Sequence, residues 1–296
     1  MSITMTGRAA KGPATRGPAA DGTAPRRRSR RPSPLHLVLL PLSLVMVAPL
    51  LWMVLLSVST KEETRRFPPG LPHGIEWRNY TGALADAPLA HWLGNSAIVS
   101  VSCVAGNLVF CSLAGYAFAR IRFLGSRALF VAVLATLMVP FQIVMLPTLI
   151  MVRAAGLTDT LGALIVPNLA TAFGVFLLRQ FFTTVPRELE EAARIDGASR
   201  LRILVQVMLP LMRPTLATLA VLTFLQTWND FLWPLIAVQN PDHMTVQLGL
   251  QTFQGAHNTD WPKLMAGTVI SQLPVFAMFF VAQRFFVRSV ATAGLK

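Results

Sequence analysis

The sequence is poor in charge. Only 13% of its 296 residues are Asp, Glu, Lys or Arg, while 53% are hydrophobic; a soluble domain usually carries about 25% charged residues. With a mean hydropathy of +0.54, this composition speaks against a soluble enzyme. Cysteine is almost absent. Cys103 and Cys111 both lie in an apolar run, and two thiols supply neither a disulfide framework nor a zinc site. Eight residues apart on one helix, they are also too distant to bridge each other, so both are read as packing residues. The five histidines, His36, His73, His91, His243 and His257, are scattered and are read as solvated or interfacial, with no metal site among them. No Gly-rich loop ending in Lys-Ser/Thr occurs, so the chain is not expected to hydrolyse ATP by itself. Gly-x-Ser-x-Gly and His-Glu-x-x-His are missing too, which removes the commonest hydrolase signatures.

Acidic residues are also scarce: 13 against 26 Lys+Arg, for a formal charge of +13. Such an excess can mark a nucleic-acid binder, so its distribution matters. Residues 1–34 are rich in Gly, Ala, Pro, Ser and Arg and are expected to be a disordered basic tail. Beyond it lie six stretches long enough to cross a bilayer, which takes about 20 apolar residues. They cover approximately 35–58, 93–118, 128–151, 161–181, 214–238 and 264–286. Several contain proline, which membrane bundles tolerate because neighbouring groups satisfy the freed carbonyls. The first stretch is longer than a signal-peptide core and has no clear cleavage site after it, so it is read as a retained span. The second carries Cys103, Asn107, Cys111, Gly115 and Ala119 at i+4 spacing, a small-residue ladder suited to close helix packing.

Counted from a cytoplasmic N-terminus, 20 of the 26 basic residues fall on cytoplasmic segments. That is the positive-inside pattern with both termini inside. The charge is therefore an orientation signal, with contact to lipid headgroups possible; nucleic acid is not needed to explain it.

The most unusual polar segment is Pro186–Pro210. Pro186 suits a helix start, and Glu188, Glu190 and Glu191 place negative charge where the helix dipole favours it. Leu189, Ala192, Ala193 and Asp196 share one narrow face able to enter a groove on another protein. Gly197 then permits a turn that a side chain would strain. From Ser199 to Leu209 basic and apolar residues alternate, as in a helix lying along a membrane interface. On pattern alone, an amphipathic helix resting on the membrane is the competing account.

Glu191-Ala192-Ala193, Gly197, Val207, Leu209 and Pro210 resemble, in register, the EAA loop of ABC-importer permeases; Val207 stands where Ile is common. Leu113–Arg120, Gly156–Thr160, Trp228–Leu235 and Arg284–Arg288 are similar to carbohydrate-type permeases, nearest the maltose-transporter-like second permease subunit. The resemblance covers roughly 35–296, with the loop at about 186–210. It implies an all-α membrane protein of the type I ABC importer permease fold: six transmembrane helices with a cytoplasmic coupling helix, in the bacterial inner membrane. It further implies a transport subunit and not an enzyme. The expected partners are a second permease subunit, two ATP-binding cassette subunits that hydrolyse the ATP, an extracytoplasmic solute-binding protein, a sugar substrate and membrane lipid, with no cofactor bound directly. Glu191, Ala192, Ala193, Asp196, Gly197 and Ala198 are the implied coupling segment.

For the solute path, Asp230 is the one carboxylate well inside a predicted span. Burying such a group costs roughly 2.5–3.5 kcal/mol, so it is expected to face the bundle interior or a cavity. Trp228, Asn229 and Trp233 beside it combine aromatic faces with polar partners, as a sugar requires. Gln142 and Asn168, each near a proline, are further lining candidates. Ordinary packing and interfacial anchoring explain the same residues equally well. The rival functional class is an ion-gradient-driven secondary transporter, which would be expected to show internal repeats and more intramembrane acids.

Overall fold

A computed structural model describes residues 35–66, 72–255 and 259–293. The basic tail and His257 lie outside them. The described residues are almost entirely helical, as the apolar runs require, since a helix satisfies its own backbone groups in lipid. Two compact units are present, residues 1–48 and 49–296. The first, where described, is the opening part of helix α1 (Leu35–Ser57).

In the second unit, the end of α1 leads to the short α2 (Lys61–Arg65) and α3 (Arg78–Ala85). Helix α4 follows (Leu89–Arg120), with a π-helical turn at Asn107–Cys111. The predicted third span is two helices, α5 (Ser126–Thr136) and α6 (Phe141–Ala154), bent by 106°. The break precedes Pro140, which cannot donate a backbone hydrogen bond and whose ψ of 137° is extended. The predicted fourth span is also interrupted. Helix α7 (Leu161–Ile165) passes through a 3-10 turn containing Pro167 before α8 (Ala172–Thr184), which Thr171 caps.

Helix α9 (Glu188–Ile195) and α10 (Arg200–Leu211) occupy the unusual polar segment, and α10 meets α11 (Arg213–Trp228) at an 84° bend. The predicted fifth span, 214–238, is corrected: its helix ends at Trp228, and a separate α12 (Leu232–Ala237) follows. Pro234 therefore sits in the first turn of a new helix, where its missing N–H costs nothing. Asp230 consequently lies in the break between two helices. After α13 (Val246–Leu250), α14 (Trp261–Ala293) runs through the last predicted span with Pro274 inside it. Among the described residues, α1, α4, the α7–α8 stretch and α14 are long and apolar enough to cross a membrane, making up to six spans if each bent pair counts as one.

The small-residue ladder packs as anticipated. A Cβ on Gly115 would come within 3.0 Å of the Arg179 backbone nitrogen, and one on Gly174 would come within 2.7 Å of Cys111 Sγ. Helices α4 and α8 thus approach at backbone distance, the arrangement that replaces hydrophobic driving force in lipid. Their shared core includes Tyr116, Leu178, Phe182, Ile203, Met208 and Leu219. Ile203, Leu204 and Met208 of α10 are buried, so α10 is built into this core and does not merely lie along a surface. A second core gathers Leu89, Trp92, Phe224, Trp228, Val246 and Leu264. A third joins Val99, Cys103, Leu164 and Trp233.

Candidate functional site

Helix α9 begins two residues after Pro186, with Arg187 at the cap position and no side-chain cap; Pro186 itself lies outside the helix. The three glutamates do not act alike. Glu188 and Glu191 are exposed, whereas Glu190 is buried. Its Oε1 lies 3.0 Å from Arg120 Nε, and both side chains are only 5% exposed. The two atoms are close but not aligned as a hydrogen bond. Glu190 Oε2 accepts a hydrogen bond from Tyr116 Oη at 3.4 Å and lies 3.7 Å from Arg194 Nη2. The Arg120 guanidinium also donates to the carbonyls of Phe182 and Val185 at the end of α8. Those carbonyls would otherwise be left open where the helix stops. One arginine thus joins the ends of α4 and α8 to the buried face of α9.

The C-terminal end of α9 is equally defined. Gly197 has φ +80°. Its N–H bonds the Arg194 carbonyl at 2.9 Å, and the Ala198 N–H bonds the Ala193 carbonyl at 3.0 Å. This is a complete Schellman cap, which calls for glycine in the left-handed position. Nothing lies within 4 Å of a Cβ at Gly197, so the requirement is conformational.

Among the six residues of the implied coupling segment, Glu191, Ala192, Asp196 and Gly197 are exposed. Ala193 and Ala198 are half-buried and pack against the α4–α8 core. The exposed face also carries Leu189 and Ile195, 43% and 87% exposed. Ile195 was not singled out from sequence, although its place one turn after Ala192 was a usable signal. The Arg120–Glu190 contact was missed because its partners are 70 positions apart.

The residues suggested for a solute path do not gather at one place. Trp228 is buried, stacks on Phe224 and donates its indole N–H to the Ser271 carbonyl at 3.0 Å. Trp233 is buried as well, with its indole N–H on the Ala163 carbonyl at 3.0 Å. Both indoles are therefore engaged in packing. Asp230 is half-buried, and its Oδ1 accepts from the Trp233 backbone N–H at 3.3 Å, at the start of α12. Asn168 is held locally by the Leu164 carbonyl at 2.9 Å, and Gln142 is exposed on α6. Asn229 is exposed, and its Oδ1 accepts from Gln247 Nε2 at 3.3 Å. Gln247 in turn lines an open cavity of about 430 Å³ with Phe231, Gln251, Gln254, Trp261 and Thr268. Its lining has amides, hydroxyl and aromatic rings but no charged side chain. No group of three or more metal-ligating side chains occurs among the described residues.

Residues 111–292 match the family model described as the binding-protein-dependent transport system inner membrane component. The chain is 36% identical over 259 residues to an arabinooligosaccharides transport system permease protein, AraQ, of Halalkalibacterium halodurans, covering 86% of this chain and 93% of that one. It is 33% identical to a lactose transport system permease protein, LacG, of Rhizobium radiobacter, covering 82% and 89%. It is 35% identical to the sn-glycerol-3-phosphate permease protein UgpE of Shigella flexneri, covering 74% and 78%. Among solved structures, a bacterial ABC transporter involved in import of the acidic polysaccharide alginate superposes with a TM-score of 0.76 at 25% identity, covering 85% of this chain and 95% of that one.

Proposed function

Since the chain belongs to the binding-protein-dependent transport system inner membrane components, an integral permease of an ABC importer, we propose that it forms the pathway for a sugar or oligosaccharide together with a second permease subunit. ATPase subunits dock on the exposed face of α9, and an extracytoplasmic binding protein delivers the solute at the opposite side. Both termini lie in the cytoplasm, in line with the distribution of basic residues.

The observation that carries this reading is the mounting of α9. A helix that only rested on a membrane would need no buried ion pair. Here Glu190 fixes α9 to Arg120, and Arg120 fixes the ends of α4 and α8. Leu189, Ala192 and Ile195 remain exposed on the outer face. A partner that grips this face moves two membrane helices with it. Glu191, Ala192, Asp196 and Gly197 supply the contact, while Ala193 and Ala198 seat the helix on the core.

The relatives include permeases named for neutral sugars and one named for a phosphorylated polyol. The uncharged lining around Gln247, Gln251 and Gln254 favours a neutral saccharide, with aromatic faces for the C–H groups of the sugar and amides for its hydroxyls. Asn229 extends this surface through its bond to Gln247. Gln142 and Asn168 belong to other parts of the fold and are left out of the pathway.

Reconstitution with the partner permease, ATPases and binding protein in vesicles tests the assignment. Uptake of the delivered sugar is expected only with internal ATP. Uptake driven by an ion gradient without ATP would instead identify a secondary transporter and overturn the proposal.

A further inference from the structure

Five arginines and two glutamates surround a cavity of about 260 Å³ beside α9, leaving a net charge of +3. Arg120 and Arg194 are engaged by Glu190. Arg122, Arg187 and Arg200 make no ion pair among the described residues, and all three are exposed. Three unpaired guanidinium groups around one cavity make an anion site, because their planar forks match phosphate oxygens in pairs.

A second cavity shares the same helices. It measures about 420 Å³, and its lining is almost wholly apolar, with Val109 and Leu113 from α4 and Leu201 and Val205 from α10. Arg200 is followed directly by Leu201. On α4, Leu113 precedes Arg120 by seven residues, about 10 Å at the helical rise. A polar cavity of positive charge and an apolar groove therefore follow one another along α4 and α10. A free anion uses only the first, whereas an amphiphile with a phosphate head uses both.

We propose that the two cavities form one site for an anionic phospholipid. Arg122, Arg187 and Arg200 hold its phosphate, and one acyl chain lies along Val109, Leu113, Leu201 and Val205. Basic clusters at a membrane surface select anionic headgroups, and here the cluster abuts the helix assigned to ATPase docking. The site depends on the charge and the groove, not on the identity of the transported solute.

The test uses the full chain assembled with its partner permease and ATPases, delipidated and offered equal amounts of phosphatidylglycerol and phosphatidylcholine, with retained lipid read by native mass spectrometry. The wild type is expected to favour phosphatidylglycerol by about thirtyfold or more, the effect of two arginines near an anionic headgroup. The double variant Arg122→Gln/Arg200→Gln, both at exposed positions, is expected to lose that preference. Leu113→Trp, which fills the groove, is expected to lower retention of phosphatidylglycerol while leaving the arginines in place. Equal retention of both lipids by the wild type overturns the proposal. Complete displacement of phosphatidylglycerol by millimolar inorganic phosphate overturns it in favour of a free-anion site. A double variant that keeps the lipid preference but loses the ATPase subunits overturns it in favour of an acidic side chain on the ATPase.

Discussion

The region around α9 and the region around α2, α3 and the start of α14 are both rich in charge, yet they use it in opposite ways. At α9 the central pair, Arg120–Glu190, is buried, and Arg120 also satisfies two helix-end carbonyls. Around α14 the pairs are Lys61–Asp260 at 2.7 Å and Lys263 with Asp86 and Asp260, and Lys61 is 56% exposed. A buried pair fixes geometry, because removing one partner leaves the other's buried charge without its counter-ion. Asp260 is half-buried, but Lys61 and Asp86 reach solvent, and water replaces such exposed partners at little cost. The first arrangement suits a lever that must transmit movement.

The sharpest way to break this contrast is Glu190→Ala. It leaves Arg120 buried without its acid and is expected to destabilise the permease by about 3–5 kcal/mol. Denaturant unfolding of the purified complex measures this. Glu190→Gln, which keeps the shape and part of the hydrogen bonding, is expected to cost less. Both are expected to weaken stimulation of ATP hydrolysis by loaded binding protein, and normal stimulation in both would remove the lever role from this pair.

The other region rests, through Ala83 and Leu264, on the second core, whose packing a variant on α13 tests. A Cβ on Gly249 would lie 2.2 Å from the Trp92 ring, and the Trp92 indole donates to the Pro241 carbonyl at 3.2 Å. Gly249→Ala is expected to cost about 1–3 kcal/mol by overpacking, seen as a lower melting temperature. A comparable loss from Gly94→Ala, where nothing lies within 4 Å of the added Cβ, would show that packing is not the cause.

Back at α9, Gly197 separates conformation from space. A residue other than glycine held in the left-handed region costs about 1–2 kcal/mol, so Gly197→Val is expected to loosen the cap and lower coupling of hydrolysis to uptake. Gly197→Asn is expected to retain more of both, since Asn tolerates that region. If the two variants behaved alike, a side-chain clash with the docked partner would replace the backbone account.

The α9 segment shows how far a sequence carries such a reading. Its helix and its glycine stop were legible because both are local: the acidic first turn, the apolar spacing and Gly197 fall within a dozen residues. The buried role of Glu190 was not, since it depends on Arg120 from another helix. The same division runs through the spans. Hydropathy located the apolar runs of α1, α4 and α14 well. It could not tell that Pro140 breaks a span while Pro274 stays inside one, because neighbouring helices decide whether a freed carbonyl finds a partner. Asp230 was placed inside a span for the same reason, and the end of α11 at Trp228 moved it to a break. Trp228 and Trp233 read equally as pathway or packing until their indole partners, Ser271 and Ala163, were seen.

The exposed pairs supply the smaller tests. Lys61→Ala is expected to change stability by less than about 1 kcal/mol, and less still in high salt; a salt-independent loss of several times that size would end the contrast drawn above.

Glu63 gives the most local effect. Its carboxylate accepts from the Thr60 N–H at 2.8 Å in a capping box and from the His73 N–H at 2.9 Å. These bonds favour the charged form, and they lower the pKa from 4.5 to about 2. Because the folded value is depressed, the contribution is fully present above pH 4.5. It is lost progressively as pH falls from there through about 2. Hydrogen exchange at the Thr60 and His73 amides is therefore expected to accelerate, relative to its intrinsic rate, over that window and to stay unchanged from pH 5 to 7. A transition outside that window would remove Glu63 as the controlling group. Glu63→Gln is expected to abolish the pH dependence while leaving the α9 region untouched, as two regions with separate charge networks require.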